Sequence, residues 1–259
     1  MKRIVSISNP KVKEAVRISR GKIKGYWIVE GKRLFHEALE SGILFEMVLV
    51  TEPVIRTMKS MLFKLENAGM EILLVTPAIL NRLSDVEKSQ GILGIARRVS
   101  APAPEKPQGF AGLLHSLRDP GNFGALIRTA EATGCEFLAY SADCADPFQP
   151  KVVRASMGSI FRVPLVKISQ ISDYLENLRG SGVHLYALSP RGGVSLDSFQ
   201  PEFPALMIVG SESGILPENL TGAQTISIPM KGKVESLNAG IAAAICFYQF
   251  RHFVLQSNL

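Results

Sequence analysis

Cysteine is scarce in this 259-residue chain, and the three present, Cys135, Cys144 and Cys246, form no close pair. An odd, scattered set excludes a disulfide framework and points to a reducing compartment with the thiols in the core. No run of about 18 apolar residues occurs, and the opening MKRIVSISNPKVKEAV is basic without the apolar stretch of a signal peptide. A soluble, cytoplasmic protein is expected. Phosphate-binding signatures are missing as well: there is no G-x-x-x-x-G-K-[ST], and the glycines of DPGNFG and RGGVS do not fit G-x-G-x-x-G. The four histidines, His36, His115, His184 and His252, are scattered, and FHEAL lacks a second histidine at zinc-binding spacing, so no metal site is expected. GSESG has the outline of a nucleophile elbow, but Glu212 stands where the serine belongs, which excludes that hydrolase reading.

What is present is a globular composition, 46% hydrophobic against 20% charged, enough for one large or two modest domains with a real core. The net charge of +6 is unevenly spread. Residues 1–100 carry 17 Lys or Arg against 10 Asp or Glu, whereas residues 101–259 carry 12 against 13. Ten cations fall within the first 33 residues: Lys2, Arg3, Lys11, Lys13, Arg17, Arg20, Lys22, Lys24, Lys32 and Arg33. The N-terminal end is therefore suited to an anionic polymer, with a merely solvated basic face as the plain alternative. Few aromatics interleave with these charges, so stacking on unpaired bases is not indicated.

VSAPAPEKPQ, residues 99–108, sets three prolines within six positions and reads as an extended linker. It divides a domain at 1–98 from one at 109–259. In the first, strand patterns at YWIVE, FEMVLVT, EILLV and GILGIARRV alternate with helical patterns at GKRLFHEALESG and PVIRTMKSMLFKLENAG, a small α/β domain. In the second, strands at GFAGLLHSL, EFLAYS, VHLYALS, ALMIVG and TISIPM alternate with helices, ending in SLNAGIAAAICFYQF, which predicts a mostly parallel sheet covered on both faces.

Ligands of such sheets bind beyond the carboxyl ends of the strands. Three loops there combine glycine with uncharged or acidic side chains: RDPGNFG, GSESGILPEN and KGKVESLNAG. Singly, their residues have plain readings. Asn122 and Ser236 each read as a helix N-cap, and Gly240, Ala243 and Ala244 as close helix packing. Arg128, between Ile127 and Thr129 on an apolar helix, either reaches solvent or meets an anion.

In order along the chain, DPGNFGALIRTAEATG, VGSESGILPENL and ISIPMKGKVESLNAGIAAAI resemble the three successive motifs of the SpoU (TrmH-like) branch of the SPOUT RNA methyltransferases. PKVVRASMGSIFRVPL resembles the family's connecting segment, and ISNPKVKEAV with YWIVEGKRLFHEALESG resembles its N-terminal substrate-recognition domain. The resemblance implies 2′-O-methylation of a ribose in structured RNA, ribosomal in preference to transfer RNA, with S-adenosylmethionine as donor. It also implies a deep C-terminal trefoil knot and a homodimer formed through that domain. By position, Asn122 and Arg128 match motif one, Glu212 motif two, and Ser236 and Asn238 motif three. Leu188, Gly210, Ile228, Met230 and Leu237 match positions that cradle the cofactor. Glu212, Ser213 and Gly214 are consecutive, one residue shorter than the family's usual spacing. The rival readings are a non-catalytic RNA-binding or ribosome-assembly protein keeping the knotted fold, and methylation of another group such as a ring nitrogen.

Overall fold

The computed structural model describes residues 1–98, 104–190, 192–210 and 222–256. The first part of the proline-rich linker and the motif-two loop with Glu212 lie outside the described residues. The chain divides into two compact units, Met1–Val99 with Phe148–Arg154, and Ser100–Pro147 with Ala155–Leu259.

In the first unit the elements run β1 (Lys2–Ile4), α1 (Pro10–Ser19), β2 (Tyr26–Glu30), α2 (Lys32–Glu40), β3 (Phe45–Val50), α3 (Glu52–Asn67), β4 (Glu71–Val75), α4 (Pro77–Leu83) and β5 (Ile92–Arg97). Three of the four helices have a proline in their first turn, where its missing N–H costs nothing. Asn9 caps α1 and Thr76 caps α4, their side chains accepting from Lys11 N and Ile79 N. The sheet order is β1-β4-β3-β5-β2, with β1, β4 and β3 parallel and β5 antiparallel to both neighbours. Val12, Ala15 and Ile18 of α1 and Ile79, Leu80 and Leu83 of α4 bury against Leu49, Leu73 and Leu93 of one sheet face. Phe35 stacks on Phe45, centroids 4.7 Å apart. Phe148 of the outlying segment meets Trp27 edge-on at 5.1 Å, and Arg154 of the same segment pairs with Asp85 at 2.9 Å.

The second unit contains β6 (Phe110–Leu114), α5 (Pro120–Thr133), β7 (Leu138–Ser141), α6 (Pro150–Ala155, most of it in the first unit), a 3-10 turn (Ser159–Phe161), β8 (Leu165–Ile168), α7 (Ile171–Gly180), β9 (His184–Leu188), β10 (Val194–Ser195), β11 (Ala205–Val209), β12 (Gln224–Ser227) and α8 (Ala239–Gln256). Its seven strands are ordered β10-β12-β9-β11-β6-β7-β8, and every neighbouring pair is parallel. The central strands FAGLL and ALMIV are buried at every residue, the continuous apolar run that a sheet covered on both faces requires.

The topology places the ligand end. From β6 the chain moves outward through β7 and β8, while β11 lies on the other side of β6 beside β9, so the order reverses between β6 and β11. At the opposite edge β12 lies between β9 and β10, and the connection from β9 to β10 must cross it. The crossing is tight: Leu188 and Val194 both register with Ile226, and Ser189 N donates to the Ile226 carbonyl at 2.9 Å. A Cβ at Gly193 would lie 2.4 Å from the Thr225 carbonyl oxygen, and its φ is +89°, so only glycine fits.

Candidate active site

Two helix starts build the site. In α5 the N-cap is Asp119, whose Oδ1 accepts from Asn122 N at 2.7 Å, with Pro120 directly after it. Asn122 is thus not the cap that sequence alone suggests. A proline in the first helical position fixes the residue before it as the cap, which sets Asn122 at the third position with its backbone N–H in the capping bond. In α8 the capping role falls to Asn238, not Ser236: Asn238 Oδ1 accepts from Gly240 N at 2.9 Å and from Ile241 N at 3.3 Å, and its carbonyl accepts from Ala242 N.

The starts of α5 and α8 meet at Gly240. A Cβ placed there would be 3.2 Å from Asn122 Oδ1, 3.2 Å from Asn238 Oδ1 and 3.4 Å from Asn122 Cβ. Two amide side chains from segments more than a hundred residues apart therefore converge on one buried glycine. From this point a groove of about 490 Å³ runs between the helices, lined on α5 by Ala125 and Thr129 and on α8 by Ile241, Ala244, Ile245 and Tyr248. Ala243 is fully buried, in keeping with close packing of these helices.

Arg128 stands on the exposed side of α5 and is not part of the groove lining. Among the described residues it has neither a hydrogen bond nor an ion pair, and its guanidinium is exposed. Ser236 is exposed in the segment before α8, and Glu212 lies outside the described residues. The cofactor candidates gather at one end of the sheet. Leu188 ends β9, Gly210 directly follows β11 and Ile228 directly follows β12, and these strands are neighbours in the order β12-β9-β11. Gly210 is buried and Leu188, Ile228, Met230 and Leu237 are half-buried.

Beside the switch point, a polar bracket that sequence reading missed holds the loop leaving β6. Ser116 adopts φ +55°, its N–H donates to Ser141 Oγ at 2.9 Å, and the hydroxyls of Ser116 and Ser141 both donate to the Asp143 carboxylate. These bonds hold the Asp143 carboxyl below the usual carboxylate range. The same bracket sets the direction in which the chain approaches Asp119. Cys144, whose Sγ donates to the Leu114 carbonyl, has its thiol pushed up by burial. Cys246 on α8 is pushed up to about 12 by burial, an inert core thiol.

Comparison with known proteins fits this geometry. Residues 111–248 match the model of the SpoU rRNA Methylase family, and residues 9–94 match the MRM3-like substrate binding domain. The chain belongs to the SpoU rRNA methylase family. Among relatives in this family, it is 29% identical to the 23S rRNA (guanosine(2553)-2'-O)-methyltransferase RlmP of Bacillus subtilis, over 97% of this chain and 100% of that protein. It is 30% identical to a 23S rRNA (uridine(2479)-2'-O)-methyltransferase of Streptomyces viridochromogenes, over 71% of this chain and 68% of that one. Its fold superimposes on the AdoMet-bound rRNA methyltransferase of Sinorhizobium meliloti with a TM-score of 0.86 at 27% identity, covering 97% of both chains.

Proposed function

We propose that this protein transfers the methyl group of S-adenosylmethionine to a ribose 2′-hydroxyl of ribosomal RNA. The observation that carries the reading is the convergence of Asn122 and Asn238 on Gly240 in a chain that aligns end to end with a 23S rRNA 2′-O-methyltransferase. The two relatives' names carry a guanosine and a uridine, so the target base is not inherited with the fold.

The donor set suits the cofactor. Leu188, Ile228, Met230 and Leu237 bring no charge, and the strand ends beside them offer backbone carbonyls and amides, which accommodate an uncharged nucleoside and a positive sulfur but not a triphosphate. When bound, S-adenosylmethionine supplies a methyl group on a good leaving group. The chain's task is then to bring a hydroxyl oxygen to about 3 Å from that carbon in line, where orientation lowers the barrier by several kcal/mol. Asn122 and Asn238 each offer a carbonyl and an NH2, fitting them to fix a ribose hydroxyl and its neighbour. The Asn238 oxygen is committed to the α8 amides, so its NH2 is the group free to face a ligand. Ser236 contributes a hydroxyl to the same reaction, and Glu212 a carboxylate for a ribose hydroxyl. Arg128, charged and unpaired, anchors the phosphate next to the target and stabilises the charge that develops as the hydroxyl loses its proton. A guanidinium has no acceptor lone pair, so Arg128 does not take that proton itself.

Two features of the assembled molecule belong to the same proposal. The crossing of β12 by the β9 to β10 connection supports a trefoil knot, an exception to the rule that chains do not thread loops. Ile241, Ile245 and Tyr248, which are 55%, 40% and 64% exposed, form an apolar stripe at helical spacing on α8, supporting a homodimer through this surface.

The test is methyl transfer from labelled S-adenosylmethionine to unmodified 23S rRNA, followed by ribose-methylation mapping. Alkali-resistant label at one position is expected. Label on a base overturns the ribose assignment, and cofactor binding without transfer to any ribosomal RNA leaves the non-catalytic rival.

A further inference from the structure

The exposed face of α1 gathers cations, favourable to the helix dipole at Arg17 and Arg20 and unfavourable at Lys13. Lys13, Arg17 and Arg20 recur at helical spacing and are all exposed, opposite the buried Val12, Ala15 and Ile18. Lys22 and Lys24 follow in the exposed turn after the helix. Lys13 and Arg17 are a like-charge pair four residues apart, which costs a few tenths of a kcal/mol. The first turn of α1 holds no acidic residue, so Lys11 and Lys13 face the positive end of the helix dipole. Three cations of the unit are paired, Lys11 with Glu71, Arg97 with Glu46 and Arg154 with Asp85; the ridge is set apart by the alignment of Lys13, Arg17 and Arg20 on one helix face with no acid between them on that face. Lys13, Arg17, Arg20, Lys22 and Lys24 have no ion pair or hydrogen-bonding side-chain partner among the described residues. Glu14 is the sole acid before Glu30.

We propose that this ridge, Lys13, Arg17, Arg20, Lys22 and Lys24, docks the phosphate backbone of paired RNA. The inference rests on the RNA-methylating reading and names the surface that takes the substrate. Five exposed cations close in sequence fit a polyanion, and Lys13, Arg17 and Arg20, at helical spacing, span about 10 Å along one face, a straight edge for a stiff backbone. An unpaired strand is held by stacking on aromatic faces, and the ridge has none: Trp27, the nearest in sequence after Tyr26, is buried against Phe148, and Tyr26 lies under the Arg97 guanidinium. Paired RNA is recognised mainly through its shape and its phosphates, which is the chemistry a lysine and arginine ridge supplies.

The experiment uses the full chain with Lys13→Gln, Arg17→Gln and Arg20→Gln combined, titrated with a fully paired RNA duplex and with an unstructured oligouridylate of equal length across a range of salt. The duplex is expected to bind wild type in preference to oligouridylate. The triple variant should lose on the order of tenfold or more in duplex affinity, with the salt slope shallower by about one for each phosphate no longer neutralised. Lys13→Arg with Arg17→Lys and Arg20→Lys should bind as wild type does, and so should a charge-matched control on α3, Arg56→Gln, Lys59→Gln and Lys64→Gln. Equal loss in the control, an unchanged salt slope, or equal loss on both RNAs overturns the proposal. Far-ultraviolet circular dichroism and thermal melting of the full chain, unchanged in all variants, verify folding. Ridge-dependent binding by a wild type that methylates no RNA would sink the enzymatic reading and leave the ridge standing.

Discussion

A guanidinium held in water at the surface of a helix keeps its full charge and can meet a ligand without first breaking a protein contact. Arg128 is such a group, two turns beyond the cap of α5, on a helix whose other side is anchored by buried Phe123, Leu126, Ile127 and Ala130. Removing it takes nothing from the core, so its effect on catalysis is separable from stability. Arg128→Ala is expected to lower transfer at saturating RNA by a factor on the order of 10² or more, the scale for losing a charge-stabilising donor. Binding of S-adenosylmethionine should stay within a few-fold, read by calorimetry, and turnover near the wild-type rate would remove Arg128 from the mechanism. The asparagines are less symmetrical. Asn238 holds two α8 amides, and truncating such a cap costs about 1 kcal/mol. Asn122 carries no such duty because Asp119 performs it.

Among the elements, α8 shows most plainly how one segment serves several demands. One face puts Cys246, Phe247 and Phe250 into the core, its start carries Asn238 and Gly240, and its outer face leaves Ile241, Ile245 and Tyr248 in solvent. Replacing Ile241 and Tyr248 with glutamate puts charge in that stripe without touching the core. Wild type should sediment as a dimer and the variant as a monomer; a wild-type monomer, or a variant that stays paired, contradicts the proposed interface. The sequence made long apolar strands plain: YWIVE and EILLV are strands over their whole patterns, ALMIVG over all but its glycine, and GFAGLLHSL over its apolar FAGLL. It hid β1 and β10, of three and two residues, because a pattern that short has no period, and β8, whose LVKI starts at the last residue of the segment read as a connection and alternates in burial over only four residues. In DPGN two residues of capping type lie three apart, and the choice between them is made by Pro120. The polar bracket at Asp143 joins residues 25 or more apart in sequence, a link that no local pattern records.

At the scale of the whole molecule, the units are not cut cleanly from the chain. Phe148–Arg154 belongs with Met1–Val99, and its ring on Trp27 and its ion pair with Asp85 lie inside that unit. Deleting residues 1–98 is expected to leave a folded fragment that binds S-adenosylmethionine and has lost most of its RNA affinity. Its segment 148–154, stripped of those partners, should be the first site of limited proteolysis. Undiminished RNA binding by the fragment would refute the division of labour, and a protected segment would refute the part assigned to Trp27 and Asp85.

The passage of the β9 to β10 connection over β12 has a consequence for the order of events. Leu188 and Ile228, two walls of the proposed cradle, flank that crossing, and Gly193 closes it against Thr225. A chain with every other strand in place but the crossing unmade has β9 alone beside β12, and the proposed cradle lacks one of its edges. Occupancy by the methyl donor is therefore a certificate of completed folding, and a partly assembled enzyme is silent instead of indiscriminate.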